Sequence, residues 1–291
     1  MTIDDSAGMT GPRPGARTTP RGSVLVYFLI TYAVSWALWV PIALKLSANS
    51  AVAQFLVFIG AIAPSFVAVA LTWRIEGQPG VRELLGRIGR TQVAARWYLF
   101  AIGYFAAVKL TVALIHRLAY GEWPRFGEAL YVIPFVIAIS TPFQAGEELG
   151  WRGYALPRMA ARIGLAPASV LLGMMWALWH LPLFFLRGAD TFHQSFPTYL
   201  IQVTALSVAI AWLWARTGGS LLLPMLFHAS INNTKDIVPA AVEAGTGTFG
   251  LRASPVSWIG AAILWTCAAV FLVWMVRTES ARVGKYGGPE L

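Results

Sequence analysis

Apolar positions along this chain gather into long runs, separated by short stretches that carry most of the charge. The runs lie near 24–44, 52–73, 97–117, 129–149, 166–186, 197–215, 219–233 and 256–276. A helix needs about 20 residues to cross about 30 Å of hydrocarbon, and a helix satisfies its own backbone there. The pattern therefore predicts an all-α polytopic bundle of about eight transmembrane helices, the seventh of them short. Between the second and third runs the sequence VRELLGRIGR places Val81, Leu84, Leu85 and Ile88 at helical spacing, with Arg82, Arg87 and Arg90 between them. This predicts either a short amphipathic helix on an anionic leaflet or an ordinary cationic loop.

Composition agrees with the pattern. Of 291 residues, 57% are hydrophobic and 12% charged, about half the charged share of an average soluble protein. The net charge of +9 sits between apolar runs rather than along one stripe, which argues for a membrane chain and against a nucleic-acid partner. With eight spans, fifteen Lys and Arg fall on the side shared by both termini and six on the other. The positive-inside rule then puts both termini in the cytoplasm. Residues 1–22 lack an apolar core and are expected to be a disordered cytoplasmic tail. Residues 23–278 are expected to form a single transmembrane domain, and 279–291 a second tail. The first apolar run is too long for a signal-peptide core. Cys267 is the single cysteine, so neither a disulfide nor a cysteine-based metal cluster is available within the chain.

In such a chain the informative residues are ionisable groups inside apolar runs, because they are costly there. Most carboxylates fall in tails and loops, with Glu128 at a helix start. The adjacent pair Glu147 and Glu148 remains, closing the fourth run. Of the histidines, His116 and His193 are expected at the surface, whereas His180 and His228 lie inside the fifth and seventh runs. Asn232 follows His228 by four residues, one turn along the same helix face. Each feature alone has a packing explanation. Together they supply what water-dependent bond cleavage within a membrane needs. A carboxylate serves as base, and imidazoles and an amide hold a water, a metal or an oxyanion in one polar cavity between helices. No His-Glu-x-x-His, no Gly-x-Ser-x-Gly and no intramembrane aspartate pair occurs.

Three segments in order resemble one known family. Glu147-Glu148-Leu149-Gly150-Trp151-Arg152 resembles the Glu-Glu-x-x-x-Arg motif of the CAAX protease and bacteriocin-processing family of intramembrane endopeptidases. Trp176 to His180 resembles its Phe/Trp-x-x-x-His motif, and His228 to Asn232 its His-x-x-x-Asn motif. The resemblance spans about a third of the chain. It implies that Glu147 activates the attacking water with help from His180. It also implies that His228 and Asn232 stabilise the oxyanion or complete a metal site, that Glu148 supports the pair, and that Arg152 orients or neutralises the carboxylates. The family is often described as metal-dependent. If a zinc ion is used, Glu147, His180 and His228 are the expected ligands, with an open fourth position. Without metal, a Glu/His-activated water suffices. The expected partners are a peptide or protein substrate, cut near the cytoplasmic face, and membrane lipids. The Gly/Pro/Arg-rich start and the Ala/Arg/Gly/Trp-rich composition suggest a bacterial cell membrane. A scaffold or self-immunity protein of the same fold, or a proton-coupled transporter, would share the buried ionisable groups without cleaving anything.

Overall fold

The computed structural model describes residues 23–46, 49–127, 130–192, 194–239 and 247–286. The expected tail at 1–22 and the positions of Glu128 and His193 lie outside them. Among the described residues the structure is helical throughout, without a strand. Helices α1 (Ser23–Lys45), α2 (Ala51–Gly86) and α3 (Ala95–Tyr120) come first. A broken path follows through α4 (Ile133–Ser140), α5 (Ala145–Glu148) and α6 (Leu156–Ile163). Then come α7 (Leu165–Trp179), α8 (Phe196–Arg216), α9 (Leu222–Thr234) and α10 (Pro255–Tyr286). The last helix runs through most of the stretch expected as a tail from 279 onward.

Six helices are long and apolar enough to cross a membrane: α1, α2, α3, α8, α10, and α7 with the turn after it. The fourth and seventh runs fall outside this group, and they carry the carboxylates and the His/Asn pair. The fourth run does not end at Glu148 as its hydropathy suggested. Its path continues to Ile163 through a 3-10 turn at Thr141–Gln144 and a wide π-helical turn at Leu149–Ala155. Pro142 is the second residue of the 3-10 turn, where its missing N–H is tolerated. Irregular backbone at membrane depth is stable only when protein surrounds it, and every residue of the π turn is buried.

What surrounds it is α2 and a continuous aromatic core. Gly150 lies so close to α2 that an added Cβ would stand 2.6 Å from the Pro64 carbonyl oxygen. Ser65 Oγ donates to the Ala145 carbonyl at 2.5 Å. Trp39, Trp151 and Trp179 are fully buried, and their rings meet edge to face or tilted, with Trp151–Trp179 centroids 5.6 Å apart. Small residues thus allow backbone contact while large rings fill the space between helices.

Gly77 divides α2. Its φ of 67° and ψ of −163° break the helix, a conformation that glycine adopts without penalty. The piece beyond it, with the turn that follows, is the predicted amphipathic segment, and part of its apolar face packs on protein. Leu84 is buried against Leu149 and Leu221. Arg87 Nη1 donates to the Gly153 carbonyl at 3.3 Å, and the Arg87 carbonyl accepts from the Leu221 N–H at 3.0 Å. Arg90 Nη1 donates to the Gly218 carbonyl at 2.9 Å, and Ser220 Oγ donates to the Arg90 carbonyl at 2.8 Å. The segment is a strap across the arginine-rich end of the bundle, directly beneath the π turn.

Candidate active site

Short helices and turns bring the singled-out residues to the middle of the bundle. Glu147 and Glu148 end α5, Arg152 sits in the π turn, His180 caps α7, and His228 and Asn232 lie on α9. The two carboxylates, adjacent in sequence, point into different surroundings.

Glu148 is fully buried. Its Oε1 accepts from Arg152 Nη1 at 2.8 Å and from His228 Nδ1 at 2.9 Å. Two donors on one oxygen compensate the charge, without which a buried carboxylate could not be kept ionised. Arg152 is equally buried, with its guanidinium carbon 4.6 Å from the centre of the Trp176 ring. By sequence Arg152 is one of the fifteen basic residues assigned to the cytoplasmic side, and the structure removes it from that group. Its position after the fourth apolar run suggested a loop, whereas the π turn carries it into the core.

Glu147 is half-buried. Its Oε2 accepts from the indole N–H groups of Trp176 at 2.7 Å and Trp151 at 3.3 Å, which leaves Oε1 for a water. His180 Nδ1 lies 2.8 Å from the Trp176 carbonyl. A carbonyl only accepts, so Nδ1 carries the proton and the neutral ring presents Nε2 as an acceptor. Glu147 and His228 both act electrostatically on the His180 ring, which places the three in one electrostatic neighbourhood. The His228 ring is buried edge-on to Trp176, centroids 5.0 Å apart.

Asn232 is the outlying member. It is exposed, and its Nδ2 reaches Gln144 Oε1 at 3.5 Å, one turn before the carboxylates. Its neighbour Asn233 donates instead to Ser140 Oγ and to the Ala229 carbonyl, both at 2.7 Å, fastening α9 to the broken path. Hydropathy does not mark Trp151 and Trp176 as donors to Glu147, because tryptophan in a membrane chain ordinarily marks interfaces. Only the i, i+4 spacing of Glu147 and Trp151 on one turn could have flagged the nearer of them. His116 is half-buried near the end of α3, with Nδ1 3.1 Å from the Glu122 carbonyl.

Among the described residues no three His, Cys, Asp or Glu side chains are arranged to hold a metal ion. Glu147, His180 and His228 surround the same indole without converging on one point. The guanidinium of Arg152 already compensates the carboxylate beside them. As placed here, Glu147, His180 and His228 do not form the zinc site that a metal-dependent mechanism would need.

The centre of this all-helical membrane protein thus holds one locked and one open carboxylate, two imidazoles and a buried arginine, a set whose chemistry suits hydrolysis. Residues 127–234, which contain every one of these groups, match the model of a family described as type II CAAX prenyl endopeptidase Rce1-like. The chain is also 24% identical over 230 residues to a protein named CAAX prenyl protease 2 from Methanococcus maripaludis, a match covering 73% of this chain and 84% of that one. Both comparisons point the same way: over this region the chain is similar to CAAX-type membrane proteases.

Proposed function

We propose that this chain is an intramembrane endopeptidase in which Glu147 is the general base. The observation that carries the reading is the unequal treatment of two adjacent carboxylates. Glu148 is held by Arg152 and His228 and has no oxygen open to solvent, so it is a positioning residue. Glu147 is fixed through one oxygen and open at the other.

A water on Oε1 gives a proton to Glu147 as its oxygen attacks the scissile carbonyl carbon. The carbon–nitrogen bond breaks when the departing amine takes up that proton, and the substrate leaves as a free carboxyl and a free amine. His180 Nε2, an acceptor by its tautomer, orients the water and shares the proton. Asn232 swings from its weak contact with Gln144 to donate to the oxyanion. Because the donors do not fit a metal, the scheme routes no step through one. The substrate is a peptide or a protein segment that unfolds into the site, and the bilayer is the protein's solvent.

The test is incubation of the purified protein in detergent with a mixed peptide library, with and without a chelator, read by mass spectrometry. The expected result is a set of products with a common cut site, unchanged by chelator. Products that vanish with chelator and return with zinc would contradict the metal-free scheme. If Glu147→Ala and His180→Ala chains both keep full biological activity, the protein acts as a scaffold instead.

A further inference from the structure

We infer that a second site, where α3, α8 and α10 meet at the arginine-rich end of the bundle, binds the phosphate headgroup of an anionic phospholipid. It shares no residue with the central carboxylates and imidazoles, and it holds whether or not the chain cleaves peptides.

The site begins with two arginines on one indole. Arg216 ends α8, and its guanidinium carbon lies 5.1 Å from the centre of the Trp97 ring and 4.9 Å from that of Trp274. Arg96, at the start of α3, lies 5.2 Å from the same Trp97 ring. Indole faces attract guanidinium ions, but two like charges gathered on one ring repel each other unless an anion joins them.

The protein supplies no such anion. Among the described residues neither guanidinium has an ion pair or a hydrogen bond, and the Nε of Arg216 is buried without a partner. The carboxylates of the neighbouring helix ends are engaged elsewhere. Glu83 pairs with Arg87, Glu76 with Arg158, and Glu279 accepts from the Leu165 N–H. A phosphate takes forked hydrogen bonds from guanidinium groups and would neutralise both arginines at once.

The surroundings select a lipid over a soluble anion. Trp97 and Trp274 are half-buried, and tryptophan is the residue that settles at the headgroup level of a bilayer. Helices α3 and α10 pack against each other, and deeper along them Leu99, Val270 and Val273 are exposed. A charged headgroup on the arginines and an acyl chain along this apolar row match one amphiphile. Basic pockets between membrane helices are used in this way.

The experiment follows the unfolding temperature and the native mass spectrum of the purified, delipidated protein in an uncharged detergent as phosphatidylglycerol is added. Phosphatidylcholine, whose phosphate sits beside a cation, and glycerol 3-phosphate, which has no acyl chain, are added in parallel. The expected result is retained phosphatidylglycerol and a raised unfolding temperature, with neither effect from the other two. Arg96→Gln is expected to weaken the response about fivefold, and Arg96→Gln combined with Arg216→Gln about 30-fold, the worth of one and two arginines at an anionic surface. Arg82→Gln, an exposed arginine on α2 outside the cluster, is expected to respond as the wild type does. Arg96 is exposed, so its single variant decides the matter if the double variant does not fold. An equal response to phosphatidylcholine overturns the inference, because arginines that only reach for the interface do not select a lipid. A full response in Arg96→Gln, or an equal loss in Arg82→Gln, also overturns it. So does a response to glycerol 3-phosphate alone, which would make this a site for a soluble phosphate.

Discussion

At the scale of single residues, Trp176 ties the site together. Its N–H holds Glu147, its carbonyl orients His180, and its ring lies under Arg152 and against His228. Trp176→Phe removes the N–H while keeping a ring and the backbone carbonyl. A hydrogen bond to a charged group contributes about 1.5–3 kcal/mol. The variant is expected to lose about 10- to 100-fold in kcat with KM nearly unchanged, measured on a peptide cut by the wild-type protein. A rise in KM at constant kcat would instead assign Trp176 to substrate binding. The sequence made Glu147, Glu148, His180 and His228 legible because ionisable groups inside apolar runs are rare and costly. It hid the tryptophan donors, since an indole reads as bulk, and it misplaced Arg152, since charge after an apolar run reads as a loop.

At the scale of elements, the site depends on a helix that is deliberately irregular. The π turn rotates Glu148 and Arg152 inward by widening the helix where small residues permit it, a recurrent use of such turns. Gly150 and Gly153 set the approach. A Cβ on Gly150 would press on the Pro64 carbonyl, and one on Gly153 would stand 2.7 Å from Leu84 Cδ1. Backbone gives way far less readily than a leucine tip. Gly150→Ala is therefore expected to destabilise the protein by about 1–3 kcal/mol through overpacking, and Gly153→Ala by less. Thermal unfolding in detergent checks the order, and equal unfolding temperatures would remove the close approach as the reason for glycine. Hydropathy found the six long helices well because each is one apolar run. It marked the fourth run and the VRELLGRIGR segment but not the break in the one or the protein contacts of the other, because both mix apolar residues with groups whose partners lie far away in sequence.

At the scale of the whole molecule, the long apolar helices frame the site, and the short, broken ones carry most of its chemistry. Lipid-facing rows such as Phe55, Phe58 and Phe66 on α2 are exposed, as a bilayer solvent requires. Polar groups concentrate where protein replaces lipid. Loosening the strap with Arg87→Ala removes the contact to the Gly153 carbonyl and the ion pair with Glu83 at 2.8 Å. The expected outcome is a modest drop in unfolding temperature with the cut site unchanged, because the strap closes the site without touching substrate. A shifted cut site would show that the strap lines the substrate path.

The division of labour between the two carboxylates is tested most directly by measuring turnover and unfolding temperature together for Glu147→Gln and Glu148→Gln. Glu147→Gln is predicted to fold as the wild type does and to lose about 10²- to 10⁴-fold in turnover, the usual worth of a general base. Glu148→Gln is predicted to lose stability, by about 3–5 kcal/mol, because it strands a buried guanidinium. A Glu147→Gln protein that still cleaves at the wild-type rate would contradict the account.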